Sequence, residues 1–250
     1  MSEVPWLSDV PINPWRRSAR DMLRNPHVAH GMVAQSLPAP DRERTLWRIE
    51  YDSRRAHLVA LTQSRPSWAH VVEAAGWEDA DGGAARVFDL APLLDRIALG
   101  RVFSFRVRVN PVSATQRPEG ADLARKLEQR PRNAEGRARG VLVPQRTAEQ
   151  QTNWFLDHAV SWGFDVPRLR GELADSPARD LVLDERQTLR FRKGGSGGHR
   201  VSLSTATFTG HLTVTDPDIF RKSVLGGVGR AKAYGCGLIT LGAPRVARDA

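Results

Sequence analysis

Residues 102–110 read VFSFRVRVN, from Val102 to Asn110, and the alternation in this stretch decides the class of fold. Phe103, Phe105, Val107 and Val109 fall on one face of a strand and Arg106 and Arg108 on the other, because successive side chains of a strand point to opposite sides. One apolar and one charged face describe an antiparallel sheet covered by helices on a single side. Ahead of this strand the chain reads as a strand over 6–12, a helix over 14–24, a second helix over 26–37, strands over 45–51 and 57–63 around a turn at 52–55, a helix over 66–75 and a closing strand over 85–90. Asn25-Pro26 marks the second helix start, since Asn can cap and Pro is tolerated in a first turn.

Downstream, 118–139 is rich in charge, Gly and Pro and reads as a mobile insertion. Strand resumes at 141–143, and a helix over 147–162 opens on a Thr147/Gln150 capping box. Strands over 181–192 and 201–214 flank Gly194-Gly195-Ser196-Gly197-Gly198 as a hairpin. A helix over 216–225, a glycine-rich stretch and a last strand over 238–241 complete the chain. The order strand–helix–strand–strand–helix–strand therefore occurs twice, without an exact internal repeat. The expected fold is α+β: two tandem ferredoxin-like (RRM-like) domains, 1–96 and 101–250, with antiparallel sheets each covered by helices.

The 250 residues hold 37 Lys plus Arg against 28 Asp plus Glu, for a net charge of +9, with 7 His and one cysteine, Cys236. A lone thiol excludes an internal disulfide framework and a Cys-rich zinc site and suits a reducing compartment. No apolar run approaches the roughly 18 residues of a membrane span, and the N-terminus lacks a secretory pattern, so the expected setting is cytoplasmic, with no membrane partner. Residues 1–100 carry 12 Arg and 13 acids, a net of −1; residues 101–250 carry 25 bases and 15 acids, a net of +10. Of the bases, 33 are Arg, which suits bidentate phosphate contacts, although a GC-rich genome also enriches Arg.

Three constellations could carry chemistry. In His27-Val28-Ala29-His30, helical spacing puts both imidazoles on one face near a helix N-terminus, where partial positive charge lowers a His pKa and attracts phosphate. A neutral imidazole beside a phosphate is what a general base on RNA requires; packing or solvation of either ring, and a metal pair, are the competing readings. The segment Gly226-Gly227-Val228-Gly229-Arg230-Ala231-Lys232 lets backbone approach an anion, with Gly227, Gly229, Arg230 and Lys232 as contacts, or else is a connector needing positive φ. The hairpin bases Arg186, Arg190, Arg192, Lys193 and Arg200 form either an anion-binding ribbon or a charged edge. Most tryptophans, Trp15 included, read as core, and Cys236 as a small packed side chain.

The combined motifs resemble a known family. A first strand ending Asn13-Pro14, the Asn25-Pro26-His27-Val28-Ala29-His30 helix, Phe105-Arg106-Val107-Arg108-Val109-Asn110-Pro111, Phe208-Thr209-Gly210-His211-Leu212 and GVGRAKAYGCGL at 227–238 are similar to CasE, the CRISPR-associated endoribonuclease subunit of type I-E Cascade. The resemblance implies metal-independent, cofactor-free cleavage of the CRISPR repeat stem-loop in precursor RNA by 2′-OH attack. It also implies retention of the crRNA beside other Cascade subunits. His30 falls on the family's catalytic histidine, and His27 stands where relatives carry Tyr. A base that relatives place soon after the histidine is absent, Gly31 and Gln35 being there instead, so Arg16 or Arg20 is the expected source of that charge. A stem-loop-binding subunit that does not cut, and a metal-dependent nuclease using His27 and His30, are the alternatives.

Overall fold

A computed structural model of the chain describes residues 4–40, 42–51, 55–77, 82–117, 119–132, 136, 140–169, 178–193 and 197–244. The turn at 52–54, parts of the 118–139 insertion, the hairpin tip at 194–196 and Arg245 and Arg248 lie outside the described residues.

In the first half, β1 (Trp6–Ile12), β2 (Leu46–Tyr51), β3 (Ala56–Thr62) and β4 (Arg86–Asp89) form one antiparallel sheet in the order β2-β3-β1-β4. Helices α1 (Arg17–Arg24), α2 (Pro26–Gln35) and α3 (Ala69–Ala75) supply the covering face. Period-two burial along β3 places Ala56, Leu58 and Ala60 in the same core as Ala19 and Met22 of α1, Ala29 and Val33 of α2, and Val71 of α3. This is the expected ferredoxin-like order.

Two helices start later than expected. Asn13 Oδ1 accepts the Trp15 N–H at 3.0 Å and the Asn13 carbonyl accepts the Arg16 N–H at 3.1 Å, so a turn replaces the first helical residues and α1 opens at Arg17. That turn leaves Trp15 83% exposed, against the core reading given to it. Likewise α3 opens at Ala69, after Trp68 has packed into the core.

The second half repeats the order. Strands β5 (Val102–Val109), β8 (Phe164–Asp165), β9 (Leu181–Lys193), β10 (His199–Val214) and β11 (Ile239–Gly242) make an antiparallel sheet ordered β11-β5-β10-β8, with β9 also on β10. Its covered face takes Phe103, Phe105, Val107 and Val109 of β5, as the alternation predicts, with Phe155 of α6 (Ala148–Ala159) and Phe220 and Val224 of α7 (Pro217–Gly226). Phe155 stacks on Phe208 at 4.5 Å between ring centroids. The expected Thr147 capping box opens α6: Thr147 Oγ1 accepts the Gln150 N–H at 3.1 Å, and Gln150 Oε1 accepts the Thr147 N–H at 3.2 Å.

The 118–139 insertion holds a helix that its composition did not announce, α5 (Ala121–Glu128). It is flanked by β6 (Val112–Thr115), paired antiparallel with β7 (Val141–Pro144), the strand expected at 141–143. The stretch between the two sheets is also ordered. It forms a short helix, α4 (Ala91–Asp95), buries Ile97 completely, and is held by Arg221, which donates to the Leu94 and Ile97 carbonyls at 3.3 and 2.6 Å.

The two halves share a core, in which Leu46, Leu61 and Leu90 pack in one cluster with Phe105, Val228 and Leu238. At its margin lies Arg48 of β2, with 1% of its side chain exposed. Arg48 donates to the Leu238 carbonyl at 2.6 Å, the Arg106 carbonyl at 3.3 Å and Thr240 Oγ1 at 2.8 Å, all in the other half, and pairs with Glu50 of its own strand. Burial pulls its pKa down while Glu50 supports the charge. No helix is long and apolar enough to cross a membrane among the described residues.

Candidate functional site

Helix α2 is positioned by its first residues. Asn25 Oδ1 accepts the His27 N–H at 3.0 Å and Pro26 occupies the first helical position, as the Asn-Pro signal predicts. Both histidines are half-buried. The His30 pKa is lowered by burial first, then by the proximity of His27 and of Lys193. The direction agrees with the expectation, but the cause differs, since His30 is the fifth residue of α2 and the helix-end field fades beyond the first turn. His30 Nδ1 is buried without a hydrogen-bond partner, which leaves Nε2 as the nitrogen able to exchange a proton with a ligand.

His30 borders a cavity of about 790 Å³ between the halves. Its walls are Arg42 and Arg44 from the segment before β2, and Gly229, Arg230, Ala231 and Lys232 from the glycine-rich segment. A 3₁₀ turn, Lys232–Tyr234, packs this segment against α2 and β2. Two of its glycines are needed by geometry. Gly227 has φ 69°, and a Cβ there would stand 2.7 Å from a Leu46 methyl; Gly237 has φ 91°, and a Cβ would stand 2.6 Å from the Val228 carbonyl oxygen. The Gly237 N–H is spent on the Arg108 carbonyl at 2.7 Å and the Val228 N–H on the Gly237 carbonyl at 2.9 Å. Gly227 is thus a packing residue between the halves, while Gly229 borders the cavity. Cys236 is fully buried and burial pushes its thiol pKa up to about 12, consistent with a packed, unreactive side chain.

The β9–β10 ribbon reaches the same place. Phe191 meets Tyr234 of the glycine-rich segment edge-on at 4.9 Å, β9 touches α2, and Lys193 is near enough to act on His30. In the ladder Arg192 lies directly opposite Arg200, and Arg190 opposite Ser202. Arg190, Arg192, Lys193 and Arg200 are all exposed. Arg186 differs, its Nε donating to Gln151 Oε1 at 2.9 Å, so it braces the ribbon on α6.

The structure therefore gathers His27, His30, Lys193, Gly229, Arg230 and Lys232 and leaves Arg16 and Arg20 apart. Neither of these arginines borders the cavity, and Arg16 donates to the Glu73 carbonyl on α3. Arg42 and Arg44 are the cationic wall that sequence reasoning missed. Their signal, Arg-x-Arg just before a strand, has the look of an ordinary charged loop.

The chain is 28% identical to the CRISPR-associated endoribonuclease Cse3 of Thermus thermophilus over 242 residues, covering 94% of this chain and 99% of that one. A solved structure of CRISPR endoribonuclease Cse3 bound to a 19-nucleotide RNA matches with a TM-score of 0.67 and 26% identity, over 96% of this chain and 100% of that one. A chain of a CRISPR RNA-guided surveillance complex in a pre-nicking state shares the fold, with a TM-score of 0.59 and 19% identity over 96% and 100% of the two chains. Residues 5–243 match the family described as CRISPR associated protein, and the chain belongs to that family.

Proposed function

We propose that this protein is an endoribonuclease that binds the stem-loop of a CRISPR repeat and cuts the precursor transcript through the ribose 2′-OH. The observation that carries the reading is His30, held toward its neutral form on the wall of a cavity lined by cations. A neutral imidazole can take the 2′-OH proton, and surrounding positive charge favours a bound phosphodiester. The 2′-oxygen forms a bond to phosphorus as the bond from phosphorus to the 5′-oxygen breaks. The departing 5′-oxygen gains a proton, leaving a cyclic phosphate upstream and a 5′-OH downstream.

In this scheme His30 is the general base and His27, one turn away on α2, returns a proton to the leaving oxygen. The ribbon bases Arg190, Arg192, Lys193 and Arg200 grip phosphates of the stem, because an A-form duplex offers its backbone and shape more readily than its base edges. Arg230 and Lys232 meet the strand beside the glycines. A grip through these bases would keep the product bound, in keeping with a place in a Cascade-type complex. A metal-centred alternative is disfavoured by the side chains present: among the described residues the cavity is lined by four Arg and Lys side chains and one carboxylate, Glu43, which accepts the Ser64 N–H at 3.1 Å.

The test is cleavage of cognate CRISPR repeat RNA, in EDTA, with and without a 2′-deoxy substitution at the scissile nucleotide. Cutting that persists in EDTA and disappears with the 2′-deoxy sugar supports the reading. Loss in EDTA would point to the metal-dependent alternative, and tight binding without cutting to a binding subunit. His30→Ala is expected to slow cleavage by about 10²–10⁴-fold with binding nearly unchanged.

A further inference from the structure

Resting on that reading, we propose that Arg44, facing Lys232 across the His30 cavity, is the cation that neutralises the phosphate on which His30 works. Arg16 and Arg20 stand outside this cavity, so the charge must come from its own walls. Four basic side chains, Arg42, Arg44, Arg230 and Lys232, share the cavity with His30. Among the described residues the one acid lining the cavity is committed elsewhere, as Glu43 accepts the backbone N–H groups of Gln63 and Ser64. That bond also anchors the segment carrying Arg42 and Arg44 to the end of β3, giving two flexible side chains a fixed base.

Lys232 is anchored as well, with Nζ donating to the Gly226 carbonyl at 2.7 Å at the end of α7. Its pKa is lowered by burial and then by Arg44, which puts the two cations within electrostatic reach. The fold holds like charges on opposite walls, with no uncommitted carboxylate among the described residues that line the cavity. Such an arrangement repels itself when empty and is relieved by an anion. A phosphodiester seated beside His30 is such an anion, and the phosphorane formed by 2′-OH attack carries one further negative charge. Preorganised donors at that charge are worth more in the transition state than in the ground state. Arg44 offers a planar guanidinium that can span two non-bridging oxygens, whereas Lys232 already spends one donor on Gly226.

The experiment compares wild-type protein with Arg44→Ala and Arg44→Lys, using single-turnover cleavage of the repeat RNA and binding of the uncleavable 2′-deoxy RNA over a salt series. Arg44→Ala is expected to cut about 10²–10³-fold more slowly and to lose about 0.7–0.9 from the salt slope of binding. Arg44→Lys should be intermediate, and free guanidinium ion should restore part of the Arg44→Ala rate while leaving His30→Ala inactive. An unchanged rate and slope would overturn the assignment. So would a rate loss that neither lysine nor guanidinium recovers, because that marks a structural defect. If wild-type protein binds but does not cut, the proposed reaction fails while the salt slope still decides the anion site; if it does not bind, both fall.

Discussion

The two halves contain the same element at the same place in their topology, a hairpin between successive covering helices, α2 and α3 in one and α6 and α7 in the other, and have used it in opposite ways. In the first half it is β2–β3, with strands of 6 and 7 residues. In the second it is β9–β10, with strands of 13 and 16. The short hairpin turns one face toward the neighbouring half and buries Arg48 there. The long one overruns its sheet and carries exposed bases toward α2. Equal topology with unequal length thus separates a joint between halves from a surface that can hold a partner.

The largest expected effect breaks the joint. Arg48→Ala would take the Arg48 donor from the Leu238 carbonyl and empty a fully buried side-chain volume, while the Arg106 carbonyl keeps the Thr240 hydroxyl; a buried acceptor left unpaired costs about 1–3 kcal/mol, and the cavity adds to it. A loss of roughly 3 kcal/mol in unfolding free energy follows, read as a lower midpoint in urea with the slope unchanged. Glu50 is partly exposed and can rehydrate, so it adds little.

Breaking the ribbon has the opposite profile. Arg200 stands directly opposite Arg192 in the ladder, and like charges at such a position destabilise a sheet by tenths of a kcal/mol. Arg200→Ser should therefore melt no earlier than wild type. The same protein, with Arg190→Ala added, should bind stem-loop RNA more weakly and lose close to 0.9 from its salt slope for each phosphate contact removed. A ribbon variant that unfolds early but keeps its salt slope would make this hairpin an ordinary part of the fold.

The difference between the hairpins also explains what could be read in the sequence. Period-two burial in β5 and β3, the Asn-Pro start of α2 and the Thr147 capping box are local signals, decided within a few residues, and the structure agrees with each. Arg48 is different, because LWRIEY gives it a position that looks solvent-facing; its cover comes from residues 190 or more positions away in sequence for Leu238 and Thr240. Helix α5 was hidden for another reason, having no buried residue and therefore no apolar stripe to betray it. The charge split misled in one respect. A net of −1 over the first 100 residues suggested that the grip lay elsewhere, yet Arg42 and Arg44 of that half wall the His30 cavity. Net charge averages over acids such as Glu43 that are already bound to backbone.

The smallest effect lies where the two halves meet, in the proton on His30. Its folded pKa is lowered from 6.5 by burial, His27 and Lys193. In the window between that lowered value and 6.5 the unfolded chain binds the proton and the folded chain does not. Stability from this residue is therefore complete above 6.5 and declines as pH falls through the window. His30→Asn should flatten that part of the stability curve. Under the proposed reaction kcat/KM follows the free enzyme's base, so its acid limb should also lie below 6.5. Lys193→Gln removes one of the charges that holds the imidazole neutral, and should move the limb upward toward 6.5. A limb that stays fixed when Lys193 is neutralised would mean that the long hairpin supplies grip alone, with no influence on the chemistry of the helix it reaches.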